Sequence, residues 1–102
     1  MADYRTEFPD FGELDVTLPT GFEDCSDHHE ACPSFQRPHL GLRIYVGYRD
    51  PRMREFPQND ERFSVWHYVA GKKLLSTDEW SEVEEFVAGC KPTNIVLFDT
   101  PR

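Results

Sequence analysis

Hydrophobic and polar residues alternate along two stretches of the chain, residues 40–48 and residues 62–69. A period of two places successive side chains on opposite faces of a strand, so apolar residues at every second position indicate one buried face. In the first stretch that face carries Leu42, Ile44, Val46 and Tyr48. In the second stretch it carries Phe63, Val65, His67 and Val69. The pattern predicts two strands of a sheet with one buried face.

Three shorter stretches also have the pattern of strands. Residues 14–18 alternate apolar and polar side chains, which predicts a short half-buried strand that ends before Pro19. A turn at residues 70–72 precedes a predicted short strand over residues 73–75. Residues 94–98 are apolar on both faces, so we expect an interior strand there.

The segment that follows residue 75 has the periodicity of a helix. Ser76 and Glu79 fit a capping box, with Ser76 as the N-cap and Glu79 three positions later. Leu75 and Trp80 are placed to pack on each other across the start of this helix. Gly89 suits its C-terminal end. The apolar stripe expected to pack on the sheet is Trp80, Val83, Phe86, Val87 and Cys90.

These elements predict an α+β fold: a mostly antiparallel sheet of about four strands, with one principal helix from the C-terminal half packed on one face. A chain of 102 residues has room for one domain with one modest core. We therefore expect residues 1–102 to form a single domain, with residues 1–12 as an acidic arm. The sheet face away from the helix would carry Tyr45, Trp66 and Tyr68.

Three interpretations fit this aromatic face. Aromatic side chains beside Arg43 can stack on the bases of single-stranded nucleic acid or on a small ligand. The same residue types are typical of a protein interface. Alternatively, the N-terminal segment folds over the face and covers it with Phe8, Phe11 and Phe22. The sequence leaves all three open.

The net charge of −8 comes entirely from the first third of the chain. Residues 1–32 contain nine acids and one base, whereas residues 33–102 contain ten of each. A segment with a strong excess of negative charge attracts positively charged partners and repels nucleic acid and anionic membranes. Because affinity for duplex DNA depends on Lys and Arg, we expect no direct binding to duplex DNA.

Other features indicate where such a chain would act. No apolar run approaches the roughly 18 residues of a membrane span, and no secretory leader opens the sequence. Three cysteines cannot all pair within one chain. We therefore expect a cytoplasmic protein with reduced thiols and no membrane partner.

One string combines soft metal ligands: Cys25, His28, His29 and Cys32. Thiolate and imidazole are the ligands that Zn²⁺ prefers. On a single helix, however, Cys25 and Cys32 would lie about 10 Å apart along the axis, too far for one tetrahedral ion to bind both. A zinc site would need a loop, or further ligands. The competing interpretation is a turn with two small buried thiols and two histidines that face solvent.

Two parts of the sequence resemble small bacterial and prophage proteins. The first part runs from Leu18-Pro19 through Gly21-Phe22-Glu23-Asp24 and Ser26 to His28, and continues in Ala31-Cys32-Pro33-Ser34-Phe35. The second part is the helix start Thr77-Asp78-Glu79-Trp80. In size, acidity and lack of catalytic motifs the chain also resembles the anti-CRISPR inhibitors of phages, which implies occupation of a basic nucleic-acid-binding channel.

The function expected from the sequence is therefore binding rather than catalysis. We expect a small acidic interaction module that occupies the basic, nucleic-acid-binding surface of a partner protein. The alternatives are a zinc protein built on the Cys/His string and a sheet-face binder of nucleic acid or a small ligand. The acids expected to contact the partner are Asp15, Glu23, Asp24, Asp27, Glu30, Glu82 and Glu85.

Overall fold

A computed structural model describes residues 3–54 and 61–90 of the chain. Within these residues, five strands form one antiparallel sheet in chain order, so each strand pairs with the next. This arrangement confirms the α+β prediction, with five strands instead of about four. The strands are β1 (Glu23–Asp24), β2 (Ser34–Arg37), β3 (Leu42–Val46), β4 (Phe63–His67) and β5 (Lys72–Thr77). The helices are α1 (Tyr4–Glu7) and α2 (Trp80–Ala88), with 3-10 turns at Pro38–Leu40 and Pro51–Met53.

The two strands predicted from alternation over residues 40–48 and 62–69 correspond to β3 and β4, next to each other in the sheet. They pair with Ile44 opposite Val65, and both side chains are fully buried. Within each strand the alternation is the predicted one, since the odd positions of β4 and the even positions of β3 face the core. The prediction for Val69 is wrong, because β4 ends at His67 and Val69 is exposed in the turn that follows. Helix α2 covers this core face through Val83 and Val87, as its apolar stripe predicted.

The helix begins later than predicted. Ser76 and Thr77 belong to β5, where they pair with Ser64 and Phe63, so Ser76 is not the N-cap. Glu79 occupies the N-cap position and makes no side-chain cap of its own. The Thr77 hydroxyl instead accepts a hydrogen bond from the Glu79 N–H at 3.0 Å. Pairing with β4 therefore extends the strand through the residues that match a capping box.

The predicted strand over residues 14–18 is also wrong. Leu14, Val16 and Leu18 are partly buried against the core and their neighbours are exposed, as the alternation indicated. The segment nevertheless pairs with no strand of the described sheet. It crosses over the core side chains, so it buries one side of its chain without backbone pairing. The strand expected over residues 94–98 lies outside the described residues.

The N-terminal aromatics do not cover the aromatic sheet face. Tyr4 and Phe8 are buried, and the Tyr4 ring lies 6.1 Å from that of Phe35 on the core side. Phe11 packs on Tyr48 at 5.1 Å, and Phe22 also contacts the core. The interpretation in which these phenylalanines cover Tyr45, Trp66 and Tyr68 is therefore wrong, and those three side chains remain partly exposed.

Candidate binding surfaces

The sheet face opposite the core carries partly or fully exposed side chains, and we call it the open face. Tyr45 and Trp66 meet edge to face, with ring centroids 6.4 Å apart. The Lys73 ammonium lies 5.7 Å from the centre of the Trp66 ring, within reach of a cation–π interaction. The members of the open face are Gln36, Arg43, Tyr45, Ser64, Trp66, Tyr68 and Lys73.

Arg43 joins the aromatic residues of the open face into one network. Its guanidinium donates a 2.9 Å hydrogen bond to Gln36 Oε1 and lies 5.3 Å from the centre of the Tyr68 ring. Glu30 lies 4.0 Å from the same guanidinium and accepts a 3.2 Å hydrogen bond from the Tyr45 hydroxyl. The positive charge of Arg43 is thus offset within the protein, which leaves little of it for a nucleic-acid phosphate.

A pocket of about 310 Å³ opens on one side of this face. Its lining includes the aromatic side chains of Tyr45, Tyr48 and Trp66 and the cationic side chains of Arg54 and Lys73. Apolar walls with a few charged groups are typical of small-ligand sites. The sequence pointed to Tyr45 and Trp66 but not to Lys73, because only the register of β5 brings Lys73 beside Trp66.

Three of the acids predicted to bind a partner are engaged inside the protein. Asp15 binds the Arg62 guanidinium through both oxygens, and this pairing holds the pKa of the carboxyl below its usual value. Asp24 accepts hydrogen bonds from the Tyr4 and Ser26 N–H groups at 2.7 and 3.0 Å. Glu30 contacts Arg43 and Tyr45, as described above. These carboxylates stabilise the fold and are poorly placed to meet a partner.

The other four predicted acids are exposed: Glu23, Asp27, Glu82 and Glu85. Asp27 accepts hydrogen bonds from the backbone N–H of His29 and from its ring, which lowers the pKa of the Asp27 carboxyl. Glu82 contacts the Thr77 hydroxyl. Glu85 lies on the outer face of α2 beside Glu84, and neither forms an ion pair with any residue in the described part of the chain.

The structure separates the thiols from the histidines of the Cys/His string. Cys25 is half-buried, its Sγ lies 3.3 Å from the Ser34 hydroxyl, and burial raises the pKa of the thiol. His28 and His29 are exposed and lie beside Asp27. Within residues 3–54 and 61–90, the metal-ligating atoms of Asp27, His28 and His29 lie within 4.8 Å of one another. Neither Cys25 nor Cys32 belongs to this group.

Glu7 is a neighbour of this group that sequence reasoning missed. Its Oε1 accepts hydrogen bonds from the backbone N–H and the ring of His28, at 2.9 and 2.7 Å. The hydrogen bond to Glu7 raises the pKa of the His28 imidazole. No local signal joins residues 21 positions apart; only the docking of α1 brings them together.

Comparison of the chain with protein-family models, with curated proteins and with solved structures finds no match. In the described part of the chain, no helix has the length and apolar character that crossing a membrane requires.

Proposed function

We propose that the protein is a non-catalytic interaction module that presents the acidic outer face of α2 to a partner protein with a basic surface. The observation that carries the proposal is the charge of residues 74–90, which contain five acids and no base. All five acids are exposed. They are Asp78, Glu79, Glu82, Glu84 and Glu85.

Part of this arrangement of charge is unfavourable for the isolated protein. Glu82 and Glu85 lie three residues apart on α2, where like charges repel each other by about 0.2–0.5 kcal/mol. Glu85 also lies in the last turn, where the helix dipole favours cations, and that turn has no base. A basic partner surface would offset both penalties, whereas no ion pair within the described residues does so.

The proposed mode of action is competition with an anionic ligand of the partner. Carboxylates along one helix face attract a basic surface over distance and accelerate encounter, more strongly at low salt. A partner with a nucleic-acid-binding channel fits this chemistry, as in the phage inhibitors that the chain resembles in size and acidity. The odd number of cysteines, three, supports action in a reducing compartment such as the cytoplasm.

The test is capture from a nuclease-treated lysate of the source organism on three immobilised proteins. These are the unmodified chain, a Glu84→Lys/Glu85→Lys variant and a Glu13→Lys/Glu61→Lys control with the same change in net charge. Glu82 is left in place because it contacts Thr77. We expect the unmodified chain and the Glu13→Lys/Glu61→Lys control to capture one protein in stoichiometric amount, and added nucleic acid to displace it. The Glu84→Lys/Glu85→Lys variant should not capture it. Equal capture by all three proteins would exclude α2 as the docking surface.

A second candidate function, binding of a small planar anion, is favoured by the pocket on the open face. Tyr45 and Trp66 can contact an aromatic ring, and Lys73, which also lines the pocket, can pair with a negative charge. Arg43 and Arg62 are both paired with acids, which makes a nucleic-acid strand a weaker occupant than a small ligand.

Anilinonaphthalene sulfonate is a suitable fluorescent probe. We expect Lys73→Met to weaken binding of the probe and the neighbouring Lys72→Met to leave it unchanged. If both variants bind the probe equally well, the pocket is not its binding site.

A further inference from the structure

We propose that Asp27, His28 and His29, with Glu7 beside His28, form a binding site for a divalent transition-metal ion of the Zn²⁺ class. The site lies where α1 meets the turn at residues 27–30. It is independent of the acidic face of α2, and it uses only the two histidines of the Cys/His string.

The distances between the ligand atoms suit a small ion. His29 Nδ1 lies 2.8 Å from Asp27 Oδ1, and His28 Nδ1 lies 4.0 Å from the same oxygen. Glu7 Oε1 approaches His28 Nδ1 to 2.7 Å. A tetrahedral ion with bonds of about 2.0–2.1 Å holds its ligand atoms roughly 3.4 Å apart, in the middle of this range. Small movements of the exposed Asp27, His28 and His29 side chains therefore suffice to place their three ligand atoms around one ion, and Glu7 lies beside His28 as the nearest candidate for a fourth ligand.

The ligand types select the class of metal. Two imidazole nitrogens favour Zn²⁺, Ni²⁺ or Cu²⁺, whereas Mg²⁺ and Ca²⁺ prefer sites made of oxygen atoms alone. Glu7 and Asp27 supply two negative charges, which match the charge of the ion. In the metal-free protein each carboxylate is within hydrogen-bond distance of a histidine ring nitrogen. An ion bound at Nδ1 requires the neutral tautomer of each imidazole, which carries its proton on Nε2.

The thiols do not complete the site. Cys25 Sγ is engaged with the Ser34 hydroxyl on the sheet side of the loop, and the thiol is half-buried. Both histidine side chains are exposed, at 63 % and 78 %, so the site can be removed without disturbing the core. Glu7 belongs to α1, so a metal ion that also binds Glu7 would stabilise the contact between α1 and the turn.

The experiment titrates Zn²⁺ into the full chain, stripped of metal by a chelator, and follows binding by calorimetry. We expect one ion per chain and a loss of affinity of more than about tenfold in each of His28→Ala and His29→Ala. His39→Ala is the control, because His39 is exposed in the 3-10 turn after β2. Circular dichroism verifies that all variants fold alike.

A second arm replaces Zn²⁺ by Co²⁺, whose absorption spectrum distinguishes thiolate from nitrogen and oxygen ligands. We expect no thiolate-to-cobalt band, and unchanged affinity in a Cys25→Ser/Cys32→Ser variant. The proposal is overturned by the absence of saturable binding, by equal losses in the His39→Ala control, or by a thiolate band.

Discussion

Asp15 and Arg62 form a two-point ion pair, with oxygen–nitrogen distances of 2.6 and 2.8 Å across 47 residues of chain. The Arg62 side chain is only 12 % exposed. Its Nε also donates to the Gly47 carbonyl at 2.9 Å, and its backbone N–H donates to the Asp78 carboxylate. Arg62 thus joins the irregular N-terminal segment to the ends of β3 and β5. Asp15 belongs to the fold rather than to an exposed acidic surface.

Replacing Asp15 by Asn should lower the free energy of unfolding by about 1–3 kcal/mol, because Arg62 would keep its largely buried charge without a carboxylate. Urea denaturation measures the change. Glu13→Gln is the control, since Glu13 and its partner Arg5 are both well exposed. It should change stability by less than about 0.5 kcal/mol. Equal effects of the two substitutions would contradict the structural role of Asp15.

The same pair gives the protein a defined response to acid. Arg62 lowers the pKa of Asp15 in the folded state below the usual 3.8. As the pH falls, the unfolded chain binds a proton at this position before the folded chain does. The stabilisation is therefore complete above the usual pKa and is lost as the pH falls through the lowered folded-state value.

The measurement is the stability difference between the unmodified chain and Asp15→Asn as a function of pH. We expect a constant difference at neutral and mildly acidic pH that shrinks below the usual pKa of 3.8. Other carboxylates titrate in both proteins and cancel from the comparison. A difference independent of pH down to the acid-unfolded state would show that the ion pair does not contribute.

Much of the sheet could be predicted because β3 and β4 each bury one face. Apolar residues alternate along both strands because one face is buried, so the sequence shows which side chains face the core. The pairing of Ile44 with Val65 is seen only in the structure. β2 gave no such signal, since Ser34 on its non-core side is also buried, beneath the loop that carries Cys25. The start of α2 was misplaced for another reason. Ser76 can serve either as a cap or as a strand residue, and only pairing with Ser64 decides between them.

The candidate sites were less predictable than the fold. Tyr45 and Trp66 share a face by alternation, which the sequence shows. The sequence does not show that Glu7 meets His28, because that contact depends on how Tyr4 and Phe8 anchor the N-terminal segment. Nor does it distinguish Asp15, which is paired, from Glu85, which forms no ion pair with the described residues. A contact between two side chains far apart in the sequence leaves no periodic pattern, so it cannot be predicted in the way that a buried strand face can.

The close approach of β3 to β4 at Gly47 makes a side chain there costly. A Cβ at this position would lie 2.8 Å from the Arg62 carbonyl oxygen, which also accepts the Gly47 N–H. We expect Gly47→Ala to lower the free energy of unfolding by about 1–3 kcal/mol. Gly89→Ala is the matched control. Its Cβ would lie no closer than 3.6 Å to another atom, in a helical backbone conformation.

Gly89→Ala should leave stability unchanged or raise it by about 0.4–1 kcal/mol, since alanine restricts the unfolded chain. Thermal and urea unfolding of the two variants provide the comparison. A Gly47→Ala variant as stable as Gly89→Ala would mean that the two strands do not approach as closely as described.

Burial raises the pKa of the Cys25 and Cys90 thiols, so both should react slowly in the folded protein. The thiolate is the reactive form, and a raised pKa reduces its fraction at pH 8. Alkylation by iodoacetamide, followed by peptide mass spectrometry, measures the rate at each site. We expect slower reaction in the native protein than in urea at both cysteines. Equal rates would place the two thiols in solvent.

The most direct measurement of the proposed function is the affinity of the captured partner for three proteins over a range of salt concentration. They are the unmodified chain, Glu84→Lys/Glu85→Lys and Glu13→Lys/Glu61→Lys. Because the first variant removes unfavourable charge from the end of α2, loss of binding cannot be ascribed to a weaker helix. We expect a loss of at least about tenfold in that variant, and a salt-dependent affinity retained by the control. Equal affinities of the three proteins would contradict the proposal.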